Sequence, residues 1–435
     1  MDPDSVNAEP GEVLPVDVLI VGGGVAGLWT LDVLRRAGLS CVLLEHDALG
    51  TGQTVGSQGI VHGGLKYTLS GTLTGSAQAI RDMPLVWREA LEGKPGRPDA
   101  SATRMRSQFC HLWRTGRWSS RLGMVGARVG LRVKPKRIER EAWPAVLRGV
   151  GDVFRLEEQV VDPASFVSAL AGLHPECMIK THGEPTIVRD AMGVKVWGVS
   201  SGDQALRFAP RWVALTAGLG NAALRELAGI TESRMQRRGV HMILAREAVP
   251  GSGVLPELNG HCVDGQKTRV TITTDRDAPG EDGRRVWQIG GQVSEDGTEM
   301  DADTLIRHAM VEVSASLGGR DVTTGVAWST YRLDKAEVTT AGGLRPDDAF
   351  VERSGSPASG ARGNVLTCWP TKLALAPRVA ELVLEHAKTG YVPETSNAER
   401  LAEALRSVER PSVAPPPWAQ PRDWVSLASH AEVTP

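Results

Sequence analysis

Residues 16–27 read VDVLIVGGGVAG, and the fold turns on them. Val16 to Val21 is a run of β-branched and aliphatic side chains, the composition of a strand buried on both faces. Glycines follow at once at Gly22, Gly23, Gly24 and Gly27, then a helical pattern from Leu28 to Ala37 closed by Gly38. A second strand, Cys41 to Leu44, ends in Glu45, 18 residues after Gly27. Strand, GxGxxG, helix, strand and acid in this order suit a dinucleotide. Gly22 makes the tight turn, Gly24 admits a pyrophosphate, and Gly27 lets helix and strand pack closely. The helix N-terminus at Val25 and Ala26 supplies partial positive charge. Glu45 is placed to accept hydrogen bonds from ribose hydroxyls, and its charge would repel a 2′-phosphate. A lone GxGxxG is a weak signal; the whole unit in register is a strong one.

The next segment, His46 to Tyr67, reads HDALGTGQTVGSQGIVHGGLKY. It is a glycine-rich loop where a classical NAD domain would have its second βα unit. Here the chain resembles the D-amino-acid-oxidase-like superfamily of FAD-dependent oxidoreductases. The resemblance implies a loop that wraps the ribityl and pyrophosphate part of FAD. His46, Gly52, Gln53, Ser57, Gln58 and Gly59 would then be cofactor residues, with the peptide His62, Gly63, Gly64 under the isoalloxazine ring. Later segments fit the same superfamily in the same order. Glu158-Gln-Val-Val-Asp162-Pro163 looks like its "VVDP" entry to a helix and brings in Val160. Trp212 to Asn221 is similar to its strand and glycine turn, implicating Ala217, Gly218 and Asn221. Gly343-Leu-Arg345-Pro346 resembles its "GLRP" stretch. Val365 to Pro377 ends in a helix expected to aim its N-terminus at the flavin pyrimidine, with Thr371, Lys372 and Leu373 at the turn.

The expected fold is α/β: a discontinuous, Rossmann-like FAD-binding domain (1–74, 151–232 and 326–390) and a second α+β substrate domain (75–150 and 233–325). Segments 240–246, 268–274 and 285–292 read as strands separated by the turn signals Asp277-Ala-Pro-Gly280 and Asp282-Gly283, which suits an antiparallel sheet. The arm 75–150, with Trp87, Trp113, Trp118 and Trp143, reads as helical. Residues 391–435 hold a helix from Asn397 to Val408 and then PSVAPPPWAQP, an extended cap or linker. No internal repeat is present.

In this superfamily flavin N5 accepts hydride from a carbon bearing an amine or hydroxyl, while the protein orients that carbon, holds its anionic end and removes a proton. His62-Gly-Gly-Leu-Lys66-Tyr67 is similar to the "HGGLRY" of FAD-dependent glycerol-3-phosphate dehydrogenases, which implies substrate roles for Lys66 and Tyr67. Lys66 departs from the usual arginine, and an ammonium holds a phosphate as a point charge rather than with a bidentate fork. Arg238-Gly-Val-His241 resembles "KGSH", which implies an active-site histidine at His241. Arg345 matches an arginine that pairs with the substrate carboxylate in amino-acid-oxidising members. Arg332 is a weaker candidate, and covalent FAD attachment at Cys368 is not expected. The catalytic set is therefore His241, Arg345, Lys66 and Tyr67, with FAD as cofactor and no metal. A glycerol 3-phosphate-like substrate fits best. A 2-hydroxy acid, an amino acid or a non-catalytic flavin-binding subunit are the alternatives, and the electron acceptor (oxygen, quinone or protein) stays open.

The 435 residues suffice for two domains. Lys plus Arg number 49 against 51 Asp plus Glu, so no global charge draws the chain to nucleic acid or membrane. Between Arg104 and Arg140, however, eleven Lys/Arg face one acid, Glu139, a segment able to dock on anionic lipid or to be a solvated face. No nucleic-acid module accompanies it. Five scattered cysteines read as reduced thiols, and an acidic N-terminus without a basic-then-apolar pattern points to a cytoplasmic, soluble protein.

Overall fold

The computed structural model describes residues 12–63, 82–116, 135–190, 193–264, 267–278, 283–343, 346–354, 363–389 and 398–426. The chain begins with β1 (Val13–Val21), α1 (Val25–Arg36) and β2 (Cys41–Glu45). Next come α2 (Met83–Leu91), β3 (Met105–Ser107), β4 (Cys110–Arg114), β5 (Lys136–Arg137), β6 (Asp152–Leu156), β7 (Val160–Val161) and α3 (Pro163–Ala171). The middle holds β8 (Met178–Lys180), β9 (His182–Asp190), β10 (Gly193–Ser201), β11 (Gln204–Leu215), α4 (Asn221–Leu227) and β12 (Met235–Glu247). Then follow β13 (Gly260–Asp264), β14 (Lys267–Arg276), β15 (Arg285–Gly290), α5 (Gln292–Asp296), α6 (Ala302–Ser316) and β16 (Val326–Val338). The chain ends with β17 (Phe350–Ser354), β18 (Val365–Trp369), α7 (Ala376–Lys388) and α8 (Ala398–Ala404).

Two large sheets carry the architecture. The first runs β17-β18-β11-β1-β2-β8, with the β9–β10 hairpin joined to β11. β1 lies parallel between β11 and β2, so both its faces are covered and its apolar run is explained. Helices α1 and α7 pack on this sheet, and Trp29 (α1), Trp87 (α2) and Phe166 (α3) lock three helices together. The Trp29 and Trp87 centroids are 5.0 Å apart, and those of Trp87 and Phe166 are 4.7 Å apart. Burying each such ring contributes roughly 2–3 kcal/mol. The second sheet runs β16-β12-β15-β14-β13-β4-β6-β5 and is antiparallel except for β13 against β4. α6 caps one of its faces through Leu305, Ala309 and Val313, which meet Ile243, Trp287 and Ile289.

Three sequence expectations shift. Val326 to Val338 was expected in the cofactor block, but it pairs with β12 along its whole length and so belongs to the second sheet. Asp152 to Leu156 likewise pairs with β4. Among its described residues the arm 75–150 holds the helix α2, two short 3-10 turns and strands; Cys110-His-Leu-Trp-Arg alternates with period two, Cys110 and Leu112 facing Ile60 while Trp113 enters the opposite core. The expected helix over 397–408 is α8, Ala398–Ala404.

The proline-rich tail is extended, as expected, and it ties the two sheets together. Leu49 N–H donates to Ser412 O and Ala414 N–H to Leu49 O. Farther on, Trp418 is buried against Leu244 and Val286 under the Arg106 guanidinium, Arg246 stacks on Trp424, and Val425 bridges Trp328.

Candidate functional site

The glycine cradle forms where β1 meets α1. Gly22 has φ 111°, and a Cβ there would lie 2.5 Å from Ala217 Cα. At Gly27 a Cβ would sit 2.0 Å from Gly22 O and 2.8 Å from Thr216 Oγ1, so only glycine lets helix and strand touch. At Gly24 a Cβ would meet Thr54 Oγ1 at 3.3 Å, a tight contact with a side-chain atom. α1 has no side-chain cap at Gly24, and Val25 N–H donates to Thr54 Oγ1 at 3.2 Å. Glu45, at the end of β2, accepts from Gly23 N–H at 2.6 Å and Asp47 N–H at 2.7 Å. Each carboxylate oxygen keeps a lone pair for a ribose hydroxyl. Lys180 holds the neighbouring turn through the carbonyls of His46 and Asp47.

On the far side of the cradle, Thr216 Oγ1 donates to Gly22 O and Ala217 N–H donates to Asn221 Oδ1 at 2.9 Å. The Asn221 amide nitrogen donates to Cys368 O at 3.0 Å. Asn221 is fully buried with both ends of its amide on the backbone, so it shapes the Ala217–Gly218 turn from behind. Gly218 lies against Gln53 Oε1. Beyond β18, Thr371 adopts φ 59°, a left-handed conformation costly for a β-branched residue, just before α7. Lys372 Nζ donates to Asp347 O there. Cys368 is buried, donates to Leu366 O, and burial pushes its thiol well above the ordinary range, which keeps it unreactive.

The loop after Glu45 leaves the cradle and crosses to the second sheet. Gly50 N–H donates to Gly23 O, and Ser57 donates back to Thr54 O. Gln58 then donates to Thr271 O at 3.0 Å and Gln288 O at 2.8 Å. Gly56 O accepts from Gln288 and from the Tyr331 hydroxyl. Gly59 threads past Val161 O, where a Cβ would lie 2.0 Å away. Beneath the crossing, Arg106 and Arg104 pair with Asp162 and Asp275, an ion cluster that links β3 to the head of α3 and to β14. Burial alone would raise the Asp275 carboxyl, but Arg106 and Arg104 hold it below the usual range.

The chain then reaches His62 and Gly63. Glu158, buried just before β7, accepts from Gly63 N–H at 2.7 Å and faces His62 Nδ1 at 3.4 Å. His261 of β13 brings Nε2 to 3.7 Å from the same carboxylate oxygen, with its Nδ1 2.9 Å from Thr271 Oγ1. Burial would raise Glu158, yet hydrogen bonding and charge from His261 and His62 hold it well below the usual carboxylate range. Val160, assigned to the cofactor by resemblance, has its side chain in the interior beside Ile60 and Val263.

His241 lies elsewhere. Its Nδ1 meets Gly297 O at 3.2 Å and its Nε2 meets Thr330 Oγ1 at 2.9 Å. β12 and β16 pair without a bulge, so His241 shares a face with Ile243, while Met242 and its partner Tyr331 turn the opposite face to the Gly56 segment. Burial and the nearby Arg332 push the His241 imidazole below its ordinary value. Arg332 donates to Thr298 O and Met300 O. No described contact joins His241 to His62. Gly64, Lys66, Tyr67 and Arg345 lie outside the described residues. Sequence reasoning missed His261, which no motif marks, and read Glu158 only as the head of the "VVDP" stretch.

The basic arm is partly described. Arg104 and Arg106 pair as above, Arg114 and Arg137 with Asp152, Lys136 with Glu157, and Arg140 lies over Trp143. Residues 117–134 lie outside the described residues. Among the described residues no helix is long and apolar enough to cross a membrane.

Parallel strands that carry a glycine cradle, joined by a loop to a second, largely antiparallel sheet, define a dinucleotide-dependent oxidoreductase of α/β fold. The chain belongs to the FAD dependent oxidoreductase family, whose family model matches residues 17–384. It is 37% identical over 414 residues to the "Probable FAD-dependent oxidoreductase PA4991" of Pseudomonas aeruginosa, covering 94% of this chain and 98% of that protein. The crystal structure of PA4991 superposes with a TM-score of 0.75 over 94% of this chain and 99% of the other. Glycine oxidase from Geobacillus kaustophilus (TM-score 0.57, 15% identity, 88% and 96% covered) shares the fold. So does L-alpha-glycerophosphate oxidase from Mycoplasma pneumoniae with FAD bound (TM-score 0.56, 12% identity, 94% and 100% covered). The cradle fits FAD: the glycine turn at the N-terminus of α1 and the Glu45 carboxylate are what its pyrophosphate and ribose need.

Proposed function

We propose that this FAD-dependent oxidoreductase dehydrogenates a carbon bearing a hydroxyl or amine next to an anionic group, with a glycerol 3-phosphate-like molecule the best single substrate. FAD supplies the two-electron acceptor for the hydrogen that leaves carbon. The observation that carries the reading is the convergence of His62, Glu158 and His261 where the loop from the cradle meets the second sheet. His62 is proposed to lie beside the flavin, on the strength of the motif that contains it. Lys66, Tyr67 and Arg345 are proposed to hold the anionic end, on the strength of the motifs that contain them. Gln58, Gln288 and Tyr331 brace the loop.

The placement of His241 favours a second reading. With both ring nitrogens engaged away from the loop, it weakens the likeness to glycerol-3-phosphate dehydrogenases, and a 2-hydroxy acid or amino acid clamped by Arg345 gains. Anaerobic mixing of the FAD-loaded protein with polyol phosphates, 2-hydroxy acids and amino acids separates the readings. The class that bleaches the flavin names the substrate. A flavin that dithionite bleaches but no such donor does would mark a non-catalytic subunit.

A further inference from the structure

The extended tail, 411–425, grips the cofactor loop, 46–59, once directly and twice through a single side chain. At the loop's entrance Leu49 N–H donates to Ser412 O at 2.7 Å, and Leu49 O accepts from Ala414 N–H at 3.0 Å. Leu49 in turn closes on the cradle: a Cβ on Gly23 would lie 2.4 Å from its Cδ2, and Gly50 N–H donates to Gly23 O. Farther along, Arg422 donates to Thr330 O at 3.0 Å and lies 5.7 Å from the centroid of the Tyr331 ring, whose hydroxyl donates to Gly56 O at 2.7 Å. The Arg106 guanidinium sits over Trp418 and donates to Gln58 O at 3.3 Å. The loop needs such holds. Gly50, Gly52 and Gly59 stand at φ 81°, 81° and 71°, so the free chain has much freedom to lose here. By the resemblance that assigns Gly52, Gln53 and Ser57 to the cofactor, FAD orders this same loop. Whichever of FAD and tail binds second meets a loop already ordered. The tail itself carries five prolines (Pro411, Pro415, Pro416, Pro417 and Pro421) that donate no N–H, so few bonds hold it and it can leave as a unit.

We propose that the tail 411–425 is a strap that senses cofactor occupancy. Bound FAD tightens it, and loss of FAD frees it together with Trp418, Trp424 and the apolar patch of Leu244 and Val286 that Trp418 covers. The coupling is reciprocal: the docked strap raises the affinity for FAD by the factor by which FAD favours docking. Protein emptied of its cofactor thus presents a loose, proline-rich end bearing two indoles, the kind of segment that proteases cut first. No substrate enters this coupling, which stands apart from the choice of donor.

Hydrogen exchange of the full chain, with FAD and after its removal, reads the strap at two amides: Ala414 N–H on Leu49 O and Val425 N–H on Trp328 O. Both should exchange about 10-fold faster without FAD, while Ile272 and Ile289, paired inside the second sheet, keep their rates. In titrations with FAD, Trp418→Ala and Arg422→Ala should each raise the Kd by about the same factor. Equal exchange at Ala414 and Val425 with and without FAD would overturn the proposal. So would an equal loss of protection at Ile272, since FAD would then hold up the whole fold rather than the strap. Variants that fold and bind FAD as tightly as wild type would also overturn it. The exchange comparison uses wild type alone, so a Trp418→Ala chain that fails to fold does not blunt the test.

Discussion

At Gly22 one added methyl group would reach 2.5 Å from Ala217 Cα, on a backbone already at φ 111°. Gly22→Ala should therefore cost about 1–3 kcal/mol from the backbone alone, with the clash added. It should yield protein that is colourless or releases its flavin on dilution, read by absorbance after gel filtration. A stable yellow variant would show that the turn is looser than its geometry. The same scale explains which residues were legible. Gly22, Gly27 and Glu45 announce themselves because their jobs are local: a turn, a close contact, an acid at a strand end. Glu158 and His261 do not, because their meaning arises only when two segments 103 residues apart come within 3.7 Å. His241 misled for the complementary reason. A motif match fixes a position on a strand but not its partners, and these are Gly297 O and Thr330.

Among the elements, those with a single strong period were readable. β1, α1, β2, α3 and the strands β12, β14 and β15 fall within a few residues of their expected bounds. The arm before β6 was not, since its tryptophans suggested helix while β4 alternates faces and pairs with strands on either side. The residues of β16, expected within the cofactor block, pair with β12 in the second sheet, a partnership that local pattern does not encode. The proline-rich tail was legible as extended but not as a strap. It crosses from Leu49 beside the cradle to Trp328 in the second sheet, with Trp418 as its buried middle. Trp418→Ala should destabilise the protein by about 3 kcal/mol in urea denaturation. It should also loosen FAD retention, because the strap hydrogen-bonds the segment that enters the cofactor loop. Unchanged midpoint and retention would make the tail a surface ornament.

Across the whole molecule the two sheets are joined by charge as well as by loops. Asp275 and Glu158 have carboxyls depressed below their unfolded values, so their contribution is present above roughly pH 4 and is lost as pH falls through the folded values. His241 and His111 are depressed too: burial disfavours their charged forms, with Arg332 and Arg155 adding repulsion. The unfolded chain therefore takes up those protons first, and stability erodes as pH drops below about 6.5. Both sets act in the same direction. The urea midpoint should fall from pH 7.5 to 5.5 and more steeply below pH 4, and a midpoint that rises on acidification would contradict the assignment.

The measurement closest to the heart of the account is the anaerobic reduction of the FAD-loaded enzyme by a small anionic donor, run with hydrogen and then with deuterium on the carbon to be oxidised. The account predicts that one hydroxy or amino donor bleaches the flavin and that deuterium slows the bleaching severalfold. A flavin that dithionite reduces but every such donor leaves yellow would contradict it.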